Sequence, residues 1–394
     1  MFKEKKLLLN EQKIKQKSIK NTKKKLKLEN KLKFNAKNKK NSKIIKSIKN
    51  KKFLSKKNII MIIIISFIIF ILSLLFVYLK YFRIEKFNIP IAFSLNNKYV
   101  YPLIVSLTSI LYNSSPNTFY IFYFLLSPDI QDYKLNKILG LREKYPNCKM
   151  NLIHMGNKYK KYKTSYYKSV TVYYRLDLSN LITDVDKLIY LDVDTIVHKD
   201  LTEFFNIDMG KNYYMGFPGI DLTFREFNGT RNFINTGVIL INLKKLREVN
   251  APILFQEYYN KYGTKKVDEY LINAVFYDKV AFLPLIYGIP DFGAGEKITR
   301  TASHFLHSFQ NLTNFTVSDM EYAHKNRVIT HNCYDLTKWW MRRYHQLTEV
   351  GKQWFFYASK SNVFGDICKK YHQFEKHCER IKRNDSEYNL VPFK

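Results

Sequence analysis

Between Ile59 and Leu79 the chain runs 21 residues without one charged side chain, apolar on every helical face. A helix of that length spans roughly 31 Å, the thickness of bilayer hydrocarbon. Its flanks are unequal. Residues 1–57 hold 23 Lys against three Glu (Glu4, Glu11, Glu29), so twenty of the chain's 33 net positive charges precede the run. The positive-inside rule sends such a flank to the cytosol. A cleaved leader is excluded by the length of the run and of its basic flank. The expectation is a type II, single-pass anchor at residues 58–79. Before it lies a disordered Lys-rich cytosolic tail, 1–57, and after it a short stem, 80–87. Everything beyond faces the lumen of the Golgi or endoplasmic reticulum. A lysine run can also neutralise nucleic-acid phosphates, but a tail abutting a membrane span is read as topological, and no nucleic acid is expected.

The rest of the chain agrees with that compartment. All four Cys (Cys148, Cys333, Cys368, Cys378) follow the span, as do five Asn-x-Ser/Thr triplets at Asn113, Asn228, Asn311, Asn314 and Asn384. Four cysteines allow three pairings, of which Cys368 with Cys378 closes the shortest loop. With 30 Tyr and 30 Phe the chain is too aromatic to be wholly disordered. No Gly-x-x-x-x-Gly-Lys, His-Glu-x-x-His or Gly-x-Ser-x-Gly occurs, which removes the usual signals of P-loop, zincin and hydrolase chemistry.

Strand and helix signals alternate after the stem. Ile89–Ser94, Thr118–Leu126 and Met150–Met155 read as strands, while Tyr99–Tyr112 and Asp129–Tyr145 read as helices. Such alternation implies an α/β fold with a mostly parallel central sheet flanked by helices, and ligands bind beyond the carboxyl ends of its strands. Lys187–Leu191 is another buried strand, running directly into Asp192-Val193-Asp194. Residues two apart in extended chain project to one side. Two carboxylates placed together either share a proton or hold a cation, and oxygen ligands suit Mg²⁺ or Mn²⁺ shared with phosphates. A second triplet, Asp184-Val185-Asp186, precedes the strand and reads as a turn and helix cap.

In these residues the chain resembles glycosyltransferase family 8, the retaining sugar-nucleotide transferases of GT-A fold, from about Ile89 to Trp340. Four ordered stretches carry the resemblance. One runs from Tyr174-Arg175-Leu176 through Asp186–Val197 to Asp200-Leu201. The second is Phe233-Ile234-Asn235-Thr236-Gly237-Val238-Ile239-Leu240-Ile241-Asn242-Leu243. The third is Asp268-Glu269-Tyr270-Leu271-Ile272-Asn273 followed by Val280–Pro284, and the fourth is His331 with Lys338-Trp339.

The resemblance implies a Rossmann-like GT-A domain over 88–345 and a helical extension over 346–394. It implies transfer of a hexosyl group, galactose or glucose, from a UDP-sugar to a glycan, glycoprotein or glycolipid acceptor with retention. Asp192, Asp194 and His331 would hold the metal, and the nitrogen ligand favours Mn²⁺ over Mg²⁺. Lys338 would pair with the leaving phosphate. Ser94, Asn96, Tyr99, Arg175 and Asn235 would contact the donor, with Tyr99 stacked on the base. Asp268 and Glu269 would act at the sugar, and Asp221 is a looser match.

The chain departs from the family pattern in three places. Glu269 stands where Gln is usual. The first-strand loop is Asn96-Asn97-Lys98-Tyr99, without the family's acidic residues. The segment from His331 to Lys338 lacks the usual Gly and is one residue longer, with Trp339 at a Pro position. These departures motivate the alternative of a catalytically degenerate member that binds a glycan or partner. The oligomeric state is left open.

Overall fold

A computed structural model describes residues 22–35, 38, 41, 42, 45, 56–81, 86–162, 169–219, 233–263, 268–291, 315–333 and 338–382. Asp221, four of the five sequons (Asn228, Asn311, Asn314 and Asn384) and the segment from Tyr334 to Thr337 lie outside them. Contacts divide the chain after Arg83 into two units.

In the first unit, Lys56–Tyr81 form one helix, and the side chains from Lys57 to Val77 are exposed along it. Within the tail, where composition predicts no order, residues 22–35 are helical. That helix buries no side chain, and Leu26, Leu28, Leu32 and Phe34 are exposed along it.

The second unit is built on a seven-stranded sheet. Its strands are β1 (Phe87–Leu95), β2 (Thr118–Leu126), β3 (Cys148–His154), β4 (Lys187–Leu191), β6 (Tyr214–Pro218), β7 (Ile234–Asn242) and β8 (Val280–Phe282), in the order β3-β2-β1-β4-β7-β6-β8. Neighbours run parallel from β3 to β4 and between β6 and β8, whereas β7 runs antiparallel to both β4 and β6. The sheet is therefore mostly parallel, with one reversed strand near its middle. Beside it lies a smaller sheet of β5 (Thr195–Val197), β10 (Ile329–His331) and β9 (Tyr287–Pro290), in which β10 pairs with both others.

Strand alternation separates two cores. Tyr120, Phe122 and Phe124 of β2 point to one face, where their rings follow one another at 5.9 and 6.1 Å. There they meet the helix Val100–Tyr112, buried from Val100 to Leu111, and the helix Glu349–Lys360 behind it. Tyr123 and Leu125 point to the other face, into a core with Tyr159, Tyr173, Tyr190 and Phe255.

The C-terminal helices share the first core through Trp354, Phe355, Ile367 and Phe374. A Cys368–Cys378 disulfide joins two of them, and Cys148 and Cys333 are thiols. Asn113, the one sequon described, donates from Nδ2 to Ser109 O, Val197 O and Tyr357 Oη at 2.9, 2.9 and 2.7 Å. It is a strut between the two helices and β5. The Asp184 triplet caps no helix. Asp184 accepts from the Tyr123 hydroxyl at 2.9 Å, and Asp186 pairs with Arg247 at 2.6 Å, because both side chains lie in the turn before β4 rather than at a helix start.

Candidate active site

The carboxylate pair occupies the carboxyl end of β4. The strand ends at Leu191, opposite Val238 of β7, and Asp192 N donates to Gly237 O at 2.7 Å. Because β7 is reversed, it is the start of this strand that meets the end of β4. Three residues on, Thr195 opens β5, whose antiparallel partner in β10 is His331, and Asn332 N donates to Asp194 O at 3.0 Å. Two backbone pairings thus bring residues 137 positions apart into one cluster.

Ligand atoms of Asp192, Asp194 and His331 all lie within 4.8 Å of one another. His331 Nε2 stands 3.3 Å from Asp194 Oδ1 and 3.7 Å from Asp192 Oδ2. Gly237 makes the room. A Cβ there would fall 2.0 Å from His331 Cε1 and 2.8 Å from Asp192 Oδ2, so no other residue fits. Burial opposes a charge on His331, yet Cys333 and Asp194 outweigh it and push the imidazole well above its usual range. Burial likewise opposes the Asp194 carboxylate, and Lys338 and His331 hold it far below the ordinary carboxylate range. The field at Nε2 therefore favours positive charge. Two oxygens and one nitrogen at this spacing fit a divalent transition-metal ion.

Two cations complete the cluster. Lys338 Nζ lies 2.5 Å from Asp194 Oδ2 and also donates to Asn332 O. Arg175, which the resemblance assigns to the donor, is 4 % exposed. Its guanidinium binds Asp192 Oδ1 at 2.7 Å and Asp268 Oδ2 at 3.0 Å, donates to Thr236 O, and lies 4.1 Å over the Tyr190 ring. Thr236 Oγ1 donates to Asp268 Oδ2 at 3.1 Å. Asn235 Nδ2 donates to Glu269 Oε2 at 3.0 Å, and the Asn235 carbonyl oxygen Oδ1 accepts from Gly237 N at 3.0 Å. Asp192, Asp194, Arg175, Asn235, Asp268, Glu269, His331 and Lys338 therefore form one connected patch.

The other residues that the resemblance assigns to the donor, Ser94, Asn96 and Tyr99, lie on β1 or just past its carboxyl end. Ser94 is two residues past Ala92, as Asp192 is two past Tyr190, and Ala92 and Tyr190 are partners in parallel strands. Asn96 Oδ1 accepts from Lys98 N at 3.0 Å and caps its own turn. Tyr99 is half-buried, 6.4 Å edge-on to Trp340. Trp339 is 1 % exposed and donates to Asp291 Oδ2 at 2.8 Å, so it packs and does not reach for a substrate. Thr236, Tyr190 and Gly237 are further residues of the patch, and none is assigned a role by the sequence reading. Only Gly237, a glycine inside a strand, carried a signal of close approach.

Comparison with known proteins agrees with this geometry. A model of Glycosyl transferase family 8 matches residues 90–297, more than half of the chain. A Haemophilus influenzae protein that carries a glycosyltransferase name is 31 % identical over 205 residues, covering 49 % of this chain and 61 % of its own length. Glycosyltransferase GlyF of Streptococcus pneumoniae is 28 % identical over 159 residues, 40 % of this chain and 37 % of the relative. The chain thus spans less than two thirds of these relatives. Among solved structures, the galactosyltransferase LgtC with donor and acceptor sugar analogues superimposes with a TM-score of 0.57 at 23 % identity, covering 70 % of this chain and 96 % of that one. Similarity at that level shows the fold, a GT-A architecture. With its family match centred on the strand ends that carry the carboxylate pair, the chain belongs to glycosyltransferase family 8.

Proposed function

We propose that this protein is a membrane-anchored, lumen-facing glycosyltransferase. It moves a hexosyl group, galactose or glucose, from a UDP-sugar to a glycan or glycoconjugate with retention of configuration, using Mn²⁺. One observation carries the reading. Asp192, Asp194 and His331 converge with Lys338 at the carboxyl end of β4, in a chain of family 8. The membrane reading is supported by the 21-residue apolar helix Lys57–Val77, and the luminal one by the lysine asymmetry and the disulfide.

The barrier to sugar transfer is charge developing on the departing diphosphate. A divalent ion held by Asp192, Asp194 and His331 would supply positive charge there. Lys338 adds a second charge from the protein itself. Arg175, clamped between Asp192 and Asp268, holds the metal-side and sugar-side carboxylates in one rigid frame. Asp268 and Asn235 offer acceptors and donors to sugar hydroxyls. Glu269 brings a carboxylate to the same edge, oriented by Asn235, where it can stabilise an oxocarbenium-like carbon.

The test is release of UDP from UDP-galactose or UDP-glucose by the full-length protein in detergent. Release is expected with Mn²⁺, is lost with chelator, and falls at least about a hundredfold in Asp194→Ala. Unchanged turnover in that variant would sink the metal assignment.

A further inference from the structure

Each carboxylate of the pair is already held by a cation, and the two cations are held differently. Arg175 is fixed. Its side chain is 3 % exposed and is tied to Asp192, Asp268, Thr236 O and Val172 O, with Tyr190 beneath it. Lys338 is 24 % exposed, and among the described residues its ammonium rests on Asp194 Oδ2 at 2.5 Å and on Asn332 O. An ammonium is a compact point charge on a flexible four-carbon stem, able to change partners by rotating that stem.

The geometry points to Lys338 as a resident counter-ion that competes with a divalent cation for Asp194 until a diphosphate takes the ammonium over. This deepens, and rests on, the metal and nucleotide reading above. In direct contact, three carboxylates (Asp192, Asp194 and Asp268) face two permanent cations, Arg175 and Lys338, with the His331 imidazole 3.3 Å from Asp194 as a further neighbour that favours positive charge. At most one negative charge is left for an ion that carries two positive ones. A divalent ion arriving alone therefore meets a positive neighbour on the far oxygen of its own ligand, in a half-buried site where screening is weak. A diphosphate changes the balance. Its oxygens offer Lys338 charge-assisted hydrogen bonds, Asp194 is left wholly to the metal, and each ligand raises the affinity for the other by the same factor. Metal and nucleotide then load as a pair.

The experiment is titration of Mn²⁺ into the full-length protein in detergent micelles, following free Mn²⁺ by electron paramagnetic resonance with and without UDP. Wild type is expected to bind Mn²⁺ weakly alone and about tenfold more tightly with UDP. Lys338→Met, with folding checked by its unfolding midpoint, is expected to bind Mn²⁺ alone about fivefold more tightly than wild type and to lose most of the UDP enhancement. Equal or weaker Mn²⁺ binding in folded Lys338→Met overturns the proposal. A second measurement needs no variant. Acetylation of Lys338 by an N-hydroxysuccinimide ester, read by peptide mass spectrometry, should rise with Mn²⁺ alone and fall with Mn²⁺ plus UDP. Labelling indifferent to Mn²⁺ also overturns the proposal. A wild-type protein that binds no Mn²⁺ even with UDP fails differently, because it removes the metal reading itself.

Discussion

His198 and His331 flank the same strand pair, and the chain treats them in opposite ways. His331 faces two carboxylates and is drawn toward positive charge. His198 is buried with Nε2 against Thr330 Oγ1 at 3.0 Å. Burial first, then Arg327 and Lys199, push its imidazole from 6.5 down to about 3. An unfolded chain would bind a proton there below pH 6.5 while the folded chain does not. Stability from this group is therefore intact above pH 6.5 and is lost as pH falls from 6.5 toward 3. The expected slope approaches about 1.4 kcal/mol per pH unit in that window. Urea unfolding of wild type and His198→Gln at pH 7 and pH 5 should differ in pH dependence by that one proton, and parallel profiles would refute it. Neither histidine's state is legible in sequence, where each is one imidazole after a β-branched run. Spacing alone announces Asp192 and Asp194, since a strand fixes where side chains two apart must point. The partners of Arg175 are not legible in sequence, because Asp192, Thr236 and Asp268 reach it only through tertiary packing.

At the scale of elements, the C-terminal helices are tied to Tyr99, at the start of the first helix of the sheet unit, by a line of rings. Tyr99 meets Trp340 at 6.4 Å, Trp340 meets Trp354 at 5.8 Å, and Trp354 meets Tyr371 at 6.4 Å. The disulfide Cys368–Cys378 closes a short loop at the end of that line, with a sequence separation of 10. Its removal in Cys378→Ser should lower unfolding stability by about 2–3 kcal/mol. A reducing agent should produce the same loss in wild type and none in the variant, as read by thermal or denaturant midpoints. Elements of five or more residues with a clear period, such as β1, β2, β4 and the helix Val100–Tyr112, are visible in the sequence. β5, β8 and β10 are not, because three residues cannot display a period of two. Nor is the direction of β7 legible. An apolar run has no sense of orientation, and its reversal between β4 and β6 is decided by which edges it must satisfy.

Over the whole molecule, positive charge gathers before the apolar helix, while the candidate site rests on a few contacts. Nine lysines from Lys39 to Lys57 precede the apolar helix at close range, against Lys80, Arg83 and Lys86 after it. If that asymmetry orients the chain, replacing the nine by Gln should place a measurable fraction of molecules with the tail in the lumen. Protease protection of microsomes would report it, and a tail that remains wholly cytosolic would exclude this cause. The luminal placement proposed above would give Asn113 a second meaning. Its carboxamide serves three acceptors, one of them Tyr357, 244 residues downstream. At synthesis rates of about 5–20 residues per second, Tyr357 emerges roughly 12 to 50 seconds after Asn113. For that interval the asparagine is an open substrate for oligosaccharide transfer, and afterwards it is a sealed structural joint. On that placement, in any host that glycosylates its secretory cargo, biogenesis of this protein would be a race between the sugar-attaching machinery and closure of its own fold.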